Sequence, residues 1–458
     1  MPNPNTRREF LRAAAAAGTL AWGPGACAAD AKATGWDALP AILARIKAPV
    51  FPARDFNITN YGAKGDGKTD CTAAIAKAIR ECTLAGGGRV VAPQGIFLTA
   101  SIHLSSNVNL HVPAGATLLF IQDPARYLPL VATRFEGVEL MNYSPFIYAD
   151  GQENIAITGE GTLDGNADES HWWPWKARAA APNEDSRTTL FGMGEKGVPL
   201  AQRIFGEKGT LRPCFIQPCR SRNVLIEGVT ILRSPMWEVT PYDCTNVTIR
   251  GVNVVSHGPN NDGCDPDSCR DVLIENCRFD TGDDCIAIKS GRDRDGRQLA
   301  KPTENVVIRN CQMKNGHGGI TIGSEMSGGV RNVLVENCTL SSPNLNQALR
   351  FKTNAMRGGV IENVYFRNIE IGEVADAVLQ IDFYYETGDK GPEHPLVRNI
   401  EVSGLNAGKA KYALVMRGFA SDPIRDVRLD RWTIGSVAAS NIIEHVEGLV
   451  TNQIKIGK

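Results

Sequence analysis

One short word recurs along this chain: Asn or Asp, then an aliphatic residue, then a run that reads as a strand. It appears as Asn107-Val108, Asn154-Ile155, Asn223-Val224, Asn246-Val247, Asp271-Val272, Asn305-Val306, Asn332-Val333, Asn363-Val364, Asn399-Ile400 and Asp426-Val427. From Asn223 onward the separations are 23, 25, 34, 27, 31, 36 and 27 residues. A near-regular period of this size is the mark of a solenoid. Val272-Leu273-Ile274-Glu275 reads with period two as a half-buried strand. Strands returning at this interval, through turns too short for a crossover helix, predict an all-β fold: a right-handed, single-stranded parallel β-helix. A β-sandwich also has many strands, but it gives no reason for the same word to return in the same context.

The ends and the one irregular interval complete the organisation. Asp70 to Leu84 places Ala74, Ile75, Ala78, Ile79 and Cys82 at helical spacing, and Gly86-Gly87-Gly88 follows it. It is expected to cap the open end of the solenoid. The glycines follow a helix instead of opening one, so they are no dinucleotide fingerprint. Asn154 and Asn223 stand 69 positions apart, with His171-Trp172-Trp173-Pro174-Trp175 and a polar stretch to about Arg212 between them. A long insertion on a rigid scaffold is expected to be functional.

The amino terminus reads as a targeting segment. Thr6-Arg7-Arg8-Glu9-Phe10-Leu11-Arg12 precedes an alanine-rich apolar run and the small-residue site Ala26-Cys27-Ala28. It is similar to a twin-arginine export signal. Gly25-Ala26-Cys27 offers a lipoprotein site instead, against which Pro24 stands. The expected division is a removed signal over 1–28, an amino-terminal linker over 29–55 and one catalytic solenoid over 56–458. Recognition by the twin-arginine machinery would place the protein in the periplasm or outside the cell. No later stretch approaches the roughly 20 apolar residues of a spanning helix. The net charge of -1 gives no reason to expect nucleic acid. Of 12 cysteines, Cys277, Cys311 and Cys338 end matching words, which predicts a stack of buried thiols. No Cys-x-x-Cys supports a zinc site.

Four charged clusters fall at a similar interval past four successive words. Asp262, in Asn260-Asn261-Asp262-Gly263, lies 16 residues after Asn246, and Asp283, in Gly282-Asp283-Asp284, lies 12 after Asp271. His317, in Gly316-His317-Gly318, lies 12 after Asn305, and Arg350, in Arg350-Phe351-Lys352, lies 18 after Asn332. Stacked coils would bring them to one groove, about 4.8 Å per coil. Arg350 and Lys352 would both face outward from their strand, with Phe351 in the core. Close carboxylates repel, which keeps one protonated as an acid. A proton donor beside ionised bases is what cleaving a glycosidic bond requires, and the cations suit an acidic substrate.

These clusters resemble the signature of family 28 glycoside hydrolases, the polygalacturonases: Asn-Thr-Asp, Gly-Asp-Asp, Gly-His-Gly and Arg-Ile-Lys. The resemblance covers roughly Asn57 to the carboxyl terminus. It implies a pectin lyase-like solenoid that cuts α-1,4-linked galacturonan with inversion, without metal or cofactor. It implies Asp283 as general acid, Asp262 and Asp284 as the bases that activate water, and His317 in support of the acid. Arg350 and Lys352 would grip a galacturonate carboxylate, with Asn260 in the binding set and one of Tyr384 and Tyr385 beside it. Asn261 replaces the usual Thr and Phe351 the usual Ile, and neither change removes a charge. Phe135-Glu136-Gly137-Val138-Glu139 through Asn142-Tyr143-Ser144-Pro145 is similar to bacterial and plant-like members, and with the long insertion it points to exo action.

Other residues keep two readings. Asp265 and Asp267 are expected to shape a turn; Lys289 and Arg292 either add positive field or sit at the surface. The tryptophans either stack on sugar or cover the solenoid flank. The rival activities are a calcium-dependent pectate lyase with an arginine base, a rhamnogalacturonan hydrolase, and a non-catalytic glycan-binding scaffold. The expected partner is galacturonan alone, bound by a monomer.

Overall fold

The computed structural model describes residues 35–176 and 185–457. The export segment and Cys27 lie outside them. Residues 34–458 form one compact unit, a right-handed parallel β-helix in which almost every strand pairs with the equivalent strand one coil on. The recurring words stack in register. Val224 pairs with Val247, then Val272, Val306, Val333, Val364, Ile400 and Val427 follow, coil by coil. All eight are buried. Each such side chain contributes about 1.5–3 kcal/mol by leaving water.

The structure explains why the word begins with Asn. Asn107, Asn154, Asn223, Asn246, Asn305, Asn332, Asn363 and Asn399 all have φ between 54° and 64°. Asn tolerates this left-handed conformation better than other side chains because its amide bonds locally. The amides also form a ladder along the helix axis: Asn154 donates to Asn107, Asn223 to Asn154 and Asn246 to Asn223, at 3.0, 2.8 and 2.7 Å. Asn305 donates to Asp271, Asn332 to Asn305, Asn363 to Asn332 and Asn399 to Asn363. The ladder breaks once inside this run. Asp271 has no amide to donate, and the Asn246 oxygen accepts from the backbone of Lys47, to whose carbonyl its amide also donates.

At that break the amino-terminal segment docks. The expected linker over 29–55 is, in its described part, a helical clasp: a 3-10 turn, Gly35–Ala38, and a helix, α1, Leu39–Arg45. Arg45 pairs with Asp271 at 2.7 Å. Ile42 and Ile46 pack on Leu273, Val307, Leu334 and Tyr365, which face outward on four consecutive coils. The strand Arg270–Glu275 is therefore covered on both sides, not half buried. The cause is the apolar choice at its outward position, which needs a lid.

The capping helix is present as α2, Thr72–Leu84, with Ala74, Ile75, Ala78, Ile79 and Cys82 buried. It starts two residues later than expected, because Asp66–Asp70 pairs as a strand with Gly95–Thr99 and the Asp70 carboxylate accepts from Thr72. The eleven described cysteines are buried free thiols. Within the long insertion, Trp172 packs among Tyr127, Tyr143, Phe146 and Trp175, and Trp173 Nε1 donates to Ser234. The tryptophans cover the flank. No helix among the described residues is long and apolar enough to cross a membrane.

Candidate active site

A second parallel sheet, built from Ile286–Ile288, Gly316–Gly323, Leu345–Lys352, Ala377–Asp382, Tyr412–Arg417 and Ile442–Glu444, carries the predicted residues on its outer face. Ile322 and Phe351 are paired and buried in the core. Arg350 and Lys352, on either side of Phe351, therefore project outward. The acids arise from the turns leading into this sheet, one coil apart. Asp262, Asp283 and Asp284 each place a carboxylate oxygen within 4.8 Å of the other two. Asp262 and Asp283, with Asn260, His257, Lys289, His317, Lys352 and Tyr385, line a groove of about 550 Å³, and Asp284 lies buried behind them.

Close approach needs glycine here. A Cβ on Gly318 would lie 2.7 Å from Asp284 Oδ1, and one on Gly316 would lie 2.2 Å from the carbonyl of Asp283. Asn261, where Thr was the expected residue, is fully buried and does no visible chemistry. Its side chain accepts from Ser256 and Gly258 and donates to the carbonyls of Ser234 and Met236. That four-bond clamp fixes the loop on which Asp262 sits.

Each acid has a different environment. Asp284 is fully buried; Lys352 Nζ reaches its Oδ2 at 2.7 Å and Arg350 Nη1 its Oδ1 at 3.2 Å. Burial works against its charge, but Lys352, Arg350 and Lys289 outweigh it and hold Asp284 well below the usual carboxylate range. Asp283 keeps some exposure and its Oδ1 meets His317 Nδ1 at 2.9 Å. Burial raises its pKa, yet the hydrogen bond to His317 and the charge of Lys352 bring it below normal overall. Asp262 is buried, Lys289 lies 3.8 Å away, and one of its oxygens finds no donor. Burial first, then the charges of Asp265 and Asp283, push its pKa well up. Burial thus favours the protonated form at Asp262, while His317 and Lys352 favour the anion at Asp283.

The cations are engaged by Asp284 before any substrate arrives, yet retain capacity. Arg350 Nε is buried without an acceptor. Tyr385 lines the groove, its ring 5.2 Å from Lys352 Nζ, whereas Tyr384 packs against Phe419 and Arg417. Asn260 accepts from the buried Arg212 at 2.7 Å, an anchor that sequence reasoning did not identify.

One end of the groove is walled by residues that converge from far apart. Glu136 sits with φ 41° in a two-residue turn with Gly137, between the antiparallel strands Val131–Phe135 and Val138–Asn142. Arg187, in the insertion's helix α3, Ser186–Glu195, donates to Glu136 at 2.7 Å and to Glu386 at 3.3 Å. Arg292 joins Glu325 at 2.9 Å and Glu386 at 3.0 Å, and Lys289 joins Glu325 at 3.1 Å. Lys289 and Arg292 are buried charges, not surface ones. Asp267 is likewise buried, 2.8 Å from Arg134.

Three proton-handling carboxylates, a histidine and two cations in one groove suit cleavage of a bond beside an anionic group. Among the described residues these three aspartates are the one group whose oxygens converge as a cation site would need. Lysine and arginine side chains already supply positive charge there.

Comparison with known proteins agrees. The family model for "Glycosyl hydrolases family 28" matches residues 199–446, and that for "Rhamnogalacturonase A/epimerase, pectate lyase-like" matches 56–112. The crystal structure of a hyperthermoactive exopolygalacturonase from Thermotoga maritima is 44% identical with a TM-score of 0.86, covering 90% of this chain and 95% of that one. A probable polygalacturonase of Vitis vinifera is 29% identical over 83% of this chain and 74% of its own length. An exo-poly-alpha-D-galacturonosidase of Dickeya chrysanthemi is 29% identical over 72% of this chain, which spans 57% of it.

Proposed function

The chain belongs to glycoside hydrolase family 28, and from that premise we propose that it hydrolyses α-1,4 bonds of galacturonan from a chain end, with inversion at the anomeric carbon. The observation that carries the reading is the meeting of Asp262, Asp283 and Asp284 within 4.8 Å beside Arg350 and Lys352. A lone pair of acids does not name a substrate; acids with cations in the same groove do.

In this reading Asp283 protonates the leaving oxygen, while Asp262 and Asp284 take the proton of the attacking water. Asp283 must first gain a proton. Binding a galacturonate anion adds negative charge and excludes water, and both raise a carboxyl pKa. His317 orients Asp283. Lys352 has three donors and Arg350 five, so each keeps donors for the sugar carboxylate while holding Asp284 ionised. Asn260 and Tyr385 complete the binding set. The carboxylate spacing is shorter than the roughly 6.5–9.5 Å usual for inversion. What favours inversion is access: Asp284 has both oxygens engaged and Asp262 is buried, so neither presents a free anionic oxygen to an anomeric carbon.

The wall supports exo action. Glu136, Glu325 and Glu386, tied by ion pairs to Arg187, Arg292 and Lys289, would block the path of a longer chain, and the names of the Thermotoga and Dickeya relatives agree. Removal of residues 1–28 by twin-arginine export, with a periplasmic or secreted and monomeric product, belongs to the same proposal. The test is polygalacturonic acid with and without chelator, following reducing ends and unsaturated products. Reducing ends without new absorbance, indifferent to chelator, are expected; calcium-dependent absorbance would make it a lyase. Early oligomers of several lengths would rule out exo action.

A further inference from the structure

We propose that Arg212 is a positioning residue of this site: by occupying the side-chain oxygen of Asn260 it leaves the amide nitrogen to the groove, so that Asn260 offers donors to an oxygen of the bound sugar. The inference rests on the hydrolase reading above. Arg212 closes the long insertion, just before the strand Ile216–Cys219, and is almost fully buried. Among the described residues it forms no ion pair with a carboxylate. Its Nη1 donates to the carbonyls of Pro235 at 2.8 Å and Pro259 at 2.6 Å, and its Nη2 to Asn260 Oδ1 at 2.7 Å. Burial lowers its pKa to about 10, so it is still a cation at neutral pH. A buried cation spent on neutral oxygens is costly to keep, and two of these three oxygens belong to the loop that leads to Asp262.

That loop is fixed in its backbone. The amide of Asn261 donates to the carbonyl of Gly258 at 3.2 Å, with Pro259 and Asn260 at the corners of the turn. Asn260 holds φ 55°, the left-handed conformation that a type II turn demands after a proline corner. The side chain of Asn261 clamps the turn with its four bonds, and Trp173 closes on it: a Cβ on Gly258 would lie 2.3 Å from the indole. Only the amide of Asn260 is left to choose which end faces the substrate. Arginine carries donors and no acceptor, so the atom it meets is the oxygen, and the two hydrogens on Nδ2 remain. No described residue accepts from them, and Asn260 lines the groove together with Lys352. Donors in that position suit a ligand whose ionised carboxylate can only accept.

Asn260→Asp separates this role from a merely structural one. Aspartate tolerates the same left-handed backbone and still accepts from Arg212, but it turns an acceptor toward the groove. Its Tm is expected at or above that of wild type, whereas Asn260→Ala, which strands the buried Arg212, should melt lower. Its KM for polygalacturonic acid is expected to rise about tenfold, with a smaller fall in kcat. An unchanged KM overturns the donor role, and a Tm as low as that of Asn260→Ala overturns the anchor. Arg212→Met reads the positioning itself: it should raise KM on its own and add nothing to Asn260→Ala, because it acts through that amide. Additive rises in KM overturn the proposal. Failure of the hydrolase reading would show separately, as wild-type protein without product, and the melts need no substrate.

Discussion

Lys352 Nζ lies 2.7 Å from Asp284 Oδ2, and it bridges the open groove and a carboxylate that is wholly buried. The lysine expected to hold substrate is therefore also what keeps a base ionised. Lys352→Ala should lower kcat about 100-fold as well as raising KM. It should also cost about 3–5 kcal/mol of stability, because a buried carboxylate loses its partner. Steady-state kinetics and denaturant melts check this, and an unchanged kcat would return Lys352 to a binding role alone.

Asp283→Asn should remove turnover by about 10²–10⁴-fold while leaving the fold intact. Circular dichroism and reducing-end assays on the same preparation read both halves. Retention of a tenth of the activity refutes the assignment of the acid.

The pair of His317 and Asp283 predicts a signed pH dependence. His317 has its pKa raised, first by the hydrogen bond to Asp283. Its contribution to stability is then fully present below its unfolded value of about 6.5 and lost as pH rises through the folded value. The difference in Tm between wild type and His317→Ala should thus be larger at pH 5 than at pH 9. Calorimetry across that range measures it; a larger difference on the alkaline side contradicts the pairing.

Inversion at an α-linked centre requires the β anomer to be the first product. Proton magnetic resonance during the first minutes of hydrolysis distinguishes it from the α anomer before mutarotation mixes them. An initial α signal would mean a covalent intermediate on one of the aspartates.

Asn332 donates to Asn305 at 3.2 Å, accepts from Asn363 at 3.3 Å, and holds φ 57°. Asn332→Ala should cost about 2–3 kcal/mol from lost bonds and left-handed strain. Asn332→Gly should recover part of that cost, which two chemical melts would show.

The period of the Asn words was enough to foresee the solenoid, because a left-handed turn and an amide ladder both demand that residue. The positions of Asp262, Asp283, Asp284, His317 and Lys352 were also legible, since each follows its word on successive coils at a broadly similar interval. Their charge states were not. Lys289, Arg292 and Glu325 look like surface residues in sequence, and only loops from other coils bury them. Glu136 and Arg187 are 51 residues apart and meet through a hairpin and an insertion that carry no repeat. The clasp over Leu273, Val307, Leu334 and Tyr365 did leave a signal: apolar side chains at the outward position of four successive words.

The stacked register has one more consequence. Acid, histidine and cation sit on consecutive rungs joined by backbone bonds, as in the pairing of Thr321 with Arg350 and Gly323 with Lys352. The fold works as a ruler: a residue's height in the groove is set by which coil it belongs to, and its reach by its place within the strand. Inserting a whole coil between His317 and Arg350 would keep the core packed yet shift the cations by one division, about 4.8 Å. A change of substrate length or charge spacing is thus available by counting coils, without redesigning any single contact.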